Sequence, residues 1–222
     1  VVIGGGGVLA GEMAMGLAQA GAEIAILDLN PQSAEERAAA IRALGRRAIA
    51  LALDATSKKE LESARDTVLS TFGHIDILLN AAGINSATPF FEISEEEWQR
   101  ILDVNLKSVF LACQVFGKTM VEAGRGGSII NISSVSAGPP LSKVFTYSIT
   151  KGGVNQITQF LAREWAPQRV RVNAIVPGFF PAEQNRRILT PARIASIMGH
   201  TPMNRFGEPS ELVAAAIYLA SE

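Results

Sequence analysis

The stretch that decides the fold is IGGGGVLAG, residues 3–11. It follows a short apolar run, Val1–Ile3, and opens a segment of helical period, Val8–Gln19. Strand, glycine turn and helix in that order form the phosphate-binding corner of a dinucleotide fold. There the backbone approaches a pyrophosphate closely and the helix N-terminus adds partial positive charge. The spacing departs from the common pattern, which has glycines at the first, third and sixth places. Here Gly4, Gly5, Gly6 and Gly7 are consecutive, and Val8 and Ala10 stand where glycine is usual. A tight strand–helix connection without a ligand is the plain alternative.

The next strand weighs against that alternative. It ends in AILDLN, which puts Asp28 near the offset of about 20 residues at which an acidic side chain meets a ribose. A carboxylate there accepts hydrogen bonds from a 2′-hydroxyl and repels a 2′-phosphate, so NAD is expected over NADP. Asp28 also suits the start of the Asn30–Pro31 turn.

Working outward, apolar runs alternate with helix-period segments. The strands expected are Val1–Ile3, Glu23–Asp28, Arg47–Leu53, Ile75–Asn80, Ser128–Ser133 and Val170–Ile175. Their nearly continuous apolar character is that of parallel strands covered on both faces. Asn30 with Pro31 marks a helix start, Ser57 with Glu60 and Ser94 with Glu97 fit capping boxes, and Glu208–Pro209 opens a last helix through Leu219. The fold class expected is therefore α/β: a doubly wound parallel sheet with helices on both faces, in a single domain over residues 1–222. A long irregular segment, about 179–208, is read as a substrate loop, because loops of that length are usually functional. It carries a weak helix signal near Ala192–Met198 and several prolines, and is expected to act as a lid. The abrupt ends lead us to expect a fragment that lacks its last strand.

The bulk numbers exclude several classes. With 222 residues, 48% of them hydrophobic, and a formal net charge of −1, the chain has no general attraction to nucleic acid. One cysteine, Cys113, leaves no disulfide framework and no cysteine-rich metal site. No apolar run reaches the roughly 18 residues of a membrane span. A cytoplasmic protein with no membrane partner is expected.

The chemistry-bearing residues lie further on. In YSITK, Tyr147 and Lys151 stand at i and i+4, one face of a helix. A phenol of ordinary pKa near 10 is a poor base at neutral pH, and an ammonium alongside it, with a positive nicotinamide ring, would favour the phenolate. Ser134 ends the strand SIINIS, from which a hydroxyl can reach the same reacting oxygen. Asn105, in LDVNLKSVF, is a lone amide on an apolar helix, placed to hold a water or a backbone carbonyl, or to bridge a helix irregularity.

With the glycine turn, LDLN, LDAT at 53–56, NAAG at 80–83, DVNL, NISS, YSITK and RVNAIVPGF in order, the chain resembles the short-chain dehydrogenase/reductase family over essentially its whole length. The resemblance implies NAD(P)-dependent interconversion of alcohol and ketone on a seven-stranded Rossmann-like sheet. It implies Asn105, Ser134, Tyr147 and Lys151 as a catalytic tetrad. It implies a cofactor site that takes in Gly4, Gly5, Gly6, Gly7, Val8, Leu9 and Asp28, with Asp54 and Ala55 at the adenine. Asn80, Ala81 and Gly83 would support the cofactor, and Pro177 and Gly178 would flank the nicotinamide. Three departures stand out: Val8 and Ala10 for glycines, Ile3 for a threonine before the turn, and Ala182 for a threonine after Pro177–Gly178.

The runs GGGGVL, PGFFPAEQNRRIL and HTPMNRFGEP resemble the D-mannonate oxidoreductase (fructuronate reductase) type within the family. A sugar acid is the small-molecule substrate expected, with Gln184, Asn185, Arg186 and Arg187 as candidates for its carboxylate or hydroxyls, and His200 and Arg205 as further polar candidates. Reduction of a 3-oxoacyl thioester or another carbonyl is the rival within the family. A non-catalytic dinucleotide-binding protein is the rival outside it. A homodimer or homotetramer is expected through Ser94–Ala123 and Phe145–Pro167, with Phe110, Cys113, Val115, Phe160 and Leu161 as the exposed apolar positions.

Overall fold

The computed structural model describes residues 1–139, 144–181 and 190–222. Each of the six apolar runs contributes a strand: β1 Val2–Ile3, β2 Ile24–Asp28, β3 Ala48–Ala52, β4 Ile77–Asn80, β5 Gly127–Ile132 and β6 Val170–Ile175. All neighbours pair in parallel, in the order β3-β2-β1-β4-β5-β6. The expected doubly wound sheet is present. Its order reverses between β1 and β4, and in open α/β sheets that is where a crevice opens beyond the strands' carboxyl ends.

The helices follow from their caps. Helix α1 (Val8–Gln19) starts at Gly7, which brings no side-chain cap. Helix α2 (Pro31–Ala43) starts at Asn30, whose Oδ1 accepts from the backbone N–H groups of Gln32 and Ser33. Helix α3 (Lys58–Phe72) starts at Ser57 and α4 (Glu95–Leu102) at Ser94, each hydroxyl accepting from the N–H three residues on. The capping boxes expected there are only half formed. The Glu60 carboxylate accepts from Asp54 N at 2.7 Å, and Glu97 accepts from the Thr88 hydroxyl at 2.8 Å, because both glutamates find donors in the preceding loop.

Beyond α4 the chain stays helical through α5 (Ser108–Ala112) and α6 (Lys118–Ala123), but with two π-helical turns, Asp103–Lys107 and Cys113–Gly117. Each wider turn presents more residues to the sheet than an α-turn would. This corrects the expected pairing face. Cys113 and Val115 are 2% and 3% exposed and belong to the core, and Leu161 is half-buried against it. Phe110 and Phe160 remain exposed.

Helix α7 (Phe145–Trp165) covers the same sheet face as α3 to α6, around Phe116 and Ile129. The opposite face is covered by α1, α2 and the last helix, α9 (Val213–Ala220), around Met13, Ile26 and Leu79. In the long segment, α8 (Pro191–Gly199) is capped by Thr190 and buries only Ile197. Residues 182–189 lie outside the described residues. No helix among the described residues is long and apolar enough to cross a membrane.

The glycine turn locks the two halves of the sheet together. Gly4 has φ +75°, and a Cβ there would lie 2.7 Å from Ala82 N. Gly4→Ala would meet both left-handed strain and backbone overlap, so a loss of about 2 kcal/mol or more is expected on urea unfolding. Gly152→Ala, on α7 with nothing within 4 Å of the added methyl, should instead gain about 0.5–1 kcal/mol. Equal effects of the two would contradict this account of the turn.

Candidate active site

At the corner, the four turn N–H groups serve the fold. Gly4 N and Gly5 N donate to Leu27 O at 2.8 and 3.3 Å, Gly7 N to Gly4 O at 3.1 Å, and Gly6 N to Asp28 Oδ2 at 3.0 Å. In this structure β2 takes the amides of Gly4, Gly5 and Gly6, and Gly7 closes the turn on Gly4 O. The donors left for an anion are those of the first turn of α1, at Val8 and Leu9, where the uncapped N-terminus carries partial positive charge.

Asp28 is fixed from two sides, since its Oδ1 also accepts from Asn30 N at 2.9 Å. A Cβ on Gly6 would lie 2.9 Å from Asp28 Oδ2, so only glycine lets the carboxylate reach the turn. Beyond it opens a groove of about 910 Å³, with Leu29, Trp98 and Val104 as apolar walls. Among the described residues its charged lining is Asp54, Glu95, Glu96 and Asp103 with Arg100. Asp54 Oδ1 accepts from both the backbone and the hydroxyl of Thr56 at 2.8 Å. Ala55 and Ala81 are half-buried beside this edge.

The second cluster sits where β5 ends and α7 begins. Ser134 follows β5, and its Oγ accepts from Ser136 N at 3.2 Å. Ser134 lies beside Tyr147 and favours its phenolate, yet burial pushes the phenol above the ordinary value. The favoured phenolate expected from the sequence counts on a bound nicotinamide ring as well as on Lys151; among the protein's own groups, desolvation of a phenolate outweighs the pull of Ser134.

Lys151 is 4% exposed, lies 5.5 Å from the Tyr147 ring centre, and donates from Nζ to Ile132 O at 2.7 Å. Burial lowers its ammonium to about 8. Gly83 faces both groups: a Cβ there would be 3.7 Å from Lys151 Nζ and 3.5 Å from Asn105 Oδ1. Asn105, on the first π turn, is fully buried; its Oδ1 accepts from Ile84 N at 2.7 Å and its Nδ2 donates to Ile84 O at 2.8 Å. The backbone-carbonyl reading of this amide is met at Ile84, and its place on a π turn meets the helix-irregularity reading as well.

Asn80 is turned away from the crevice. Its Nδ2 donates to Asn131 Oδ1 at 2.9 Å, and Asn131 in turn donates to the Thr158 hydroxyl at 2.9 Å, tying β4 and β5 to α7 inside the core. Pro177 is buried and its carbonyl accepts from Val135 N at 3.2 Å, which joins the end of β6 to the Ser134 turn, while Gly178 is exposed. Gln184, Asn185, Arg186 and Arg187 lie outside the described residues. Arg205 is committed elsewhere, to the Glu211 carboxylate at 2.6 and 2.9 Å, and His200 to Ser196 O at 2.9 Å on its own helix. Sequence reasoning missed Ile84, Ile132, Asn131 and Thr150. The first two act through backbone carbonyls and amides, which leave no trace in residue type.

A nicotinamide dinucleotide fits these residues. The α1 N-terminus suits its phosphates and Asp28 a ribose hydroxyl, and Gly83 brings no side chain against Lys151 Nζ. Because the folded state buries the Lys151 ammonium, its lowered pKa counts against stability wherever that charge persists. The cost is full below about pH 8 and fades as pH rises towards 10.5, where the unfolded chain also loses the proton. Lys151→Met should therefore be at least as stable as the wild type at pH 7, with the difference in melting temperature shrinking from pH 8 to 10. A Lys151→Met protein less stable at pH 7 than at pH 10, relative to wild type, would contradict this.

The relatives agree with this geometry. A family model described as Enoyl-(Acyl carrier protein) reductase matches residues 7–222. The 2-dehydro-3-deoxy-D-gluconate 5-dehydrogenase of Escherichia coli (strain K12) is 36% identical over 210 residues, 94% of this chain and 82% of that protein. The gluconate 5-dehydrogenase of Burkholderia cenocepacia J2315, solved with NADP and tartrate, superposes with a TM-score of 0.93 at 34% identity, covering 99% of this chain and 86% of the other. An NAD+-bound xylitol dehydrogenase superposes with a TM-score of 0.94 at 28% identity, covering 99% and 90%. A crevice built for a dinucleotide, with serine, tyrosine and lysine beside it, and this run of relatives place the chain in the short-chain dehydrogenase/reductase family, whose members are nicotinamide-dependent oxidoreductases.

Proposed function

We propose that the protein is an NAD(H)-dependent oxidoreductase that interconverts a secondary alcohol and a ketone on a sugar acid of the D-mannonate/D-fructuronate kind. The observation that carries the reading is the meeting of Ser134, Tyr147 and the buried Lys151 beside Gly83 at the carboxyl end of the sheet. Relatives named for gluconate and ketogluconate substrates support the sugar-acid class.

In the reduction direction, the Tyr147 hydroxyl gives its proton to the carbonyl oxygen, and in oxidation it takes that proton back. Its raised pKa keeps the proton in place until the oxygen needs it. Ser134 holds the same oxygen by a hydrogen bond. Lys151, fixed on Ile132 O, offers its remaining N–H groups and its charge to the nicotinamide ribose and to the developing phenolate. Asn105 holds the wall of this pocket through Ile84. A nicotinamide bound there supplies or accepts the hydride.

NAD over NADP rests on Asp28 and on a groove whose described lining holds four carboxylates beside Arg100, which is poor company for a 2′-phosphate. Solved relatives include both an NADP and an NAD+ complex, so the choice belongs to these residues and not to the fold. Pairing of two or four copies through the faces that carry Phe110 and Phe160 is part of the same proposal.

A panel of D-fructuronate, 5-keto-D-gluconate and a 3-ketoacyl ester, followed by NADH oxidation, tests the reading. Turnover of a keto sugar acid is expected. Turnover of the 3-ketoacyl ester alone would favour the rival substrate class, and dinucleotide binding without any turnover would favour a pure binder. Tyr147→Phe should lower turnover about a hundredfold or more while NADH affinity stays close to wild type. Asp28→Ala should raise the kcat/KM for NADPH relative to NADH; better kinetics with NADPH in the unaltered protein would overturn the cofactor assignment.

A further inference from the structure

Thr150 is fully buried on α7, between Tyr147 and Lys151, and joins two groups that the sequence keeps far apart. Its hydroxyl donates to Tyr147 O at 2.6 Å. A threonine hydroxyl has a single proton, so the oxygen can meet Asn105 Nδ2, 3.2 Å away, only as an acceptor. Asn105 is then fully occupied: two amide protons on Ile84 O and Thr150 Oγ1, and its carbonyl oxygen on Ile84 N.

We propose that the Thr150 hydroxyl is a positioning group that fastens Asn105, and through it the Gly83–Ile84 backbone, to the helical turn carrying Tyr147 and Lys151. The inference rests on the proposed function for its effect on turnover, but not for the joint itself. Asn105 stands on the π turn Asp103–Lys107, where the i→i+4 ladder is interrupted, so side-chain ties replace part of the lost backbone register. Gly83 forms the wall against Lys151 Nζ, and Ile84 is the next residue. Without the hydroxyl, one buried amide proton of Asn105 has no acceptor, and the amide can recover it only by releasing Ile84 or turning towards water. Either movement shifts the wall beside Lys151.

Thr150→Val keeps the shape and removes the hydroxyl, whereas Thr150→Ser keeps the hydroxyl and removes a methyl. In Thr150→Val, hydrogen exchange at the Ile84 amide should speed up about tenfold, and kcat on the best ketone of the panel should fall about tenfold or more. The KM for NADH should stay within about threefold, and the pH profile of kcat should shift. Thr150→Ser should restore exchange, kcat and profile to within about threefold of wild type. Unchanged Ile84 exchange in a folded Thr150→Val protein overturns the proposal, as does an unchanged kcat and profile in an active enzyme. Equal losses in the Val and Ser variants also overturn it, since packing and not the hydroxyl would then be responsible. If the wild type turns over none of the ketones, the proposed function fails while Ile84 exchange alone still decides the joint.

Discussion

A lysine ammonium that is almost wholly enclosed is the constraint on which the rest of this structure turns. Lys151 gives up most of its hydration, and the Ile132 carbonyl answers with one short hydrogen bond. The bond spans two elements, the last residue of β5 and the second turn of α7, so the amine can be held only if that helix lies in one register on the sheet. The Asn80–Asn131–Thr158 chain secures that register from inside the core, and Ser133 adds a bond from its hydroxyl to Lys151 O. An interior ammonium is a poor stabiliser of a fold. Its presence at the mouth of a crevice is what a site built for proton and hydride chemistry requires.

The same economy of polar groups shapes the neighbouring helix. Two π turns interrupt the stretch from Glu95 to Ala123, and they do different things. The second turns Cys113, Val115 and Phe116 onto the sheet, where they complete the core. The first turns a polar residue, Asn105, into a place where its amide closes on both backbone groups of Ile84. One irregularity serves packing, and the other fixes the floor of the site.

At the cofactor corner, electrostatics and sterics act together. Parallel β2 draws the glycine amides into the fold, which leaves the bare N-terminus of α1 as the anion-facing element. The approach that permits this also lets Asp28 reach Gly6, so its carboxylate is positioned by the turn itself. Acidic side chains continue along the groove from Asp54 to Asp103, with Arg100 among them.

The sequence by itself determined the layer architecture, the strand and helix order, and the identity of the polar residues at the crevice. Those follow from the hydrophobic period, from caps such as Asn30, and from motifs such as YSITK, all of which depend on residue type within a short window. Only the tertiary structure decided what each polar atom does. Asn80 donates to Asn131 inside the core; Arg205 closes on Glu211; the amides of Gly4, Gly5 and Gly6 meet β2 while that of Gly7 meets Gly4; burial raises Tyr147 among the protein's own groups; and Cys113 and Val115 turn inward. Each outcome depends on which backbone carbonyl, carboxylate or apolar wall a distant segment brings within hydrogen-bond reach. Desolvation and hydrogen bonding act over a few ångströms of space, and separation along the chain does not specify who the neighbours will be.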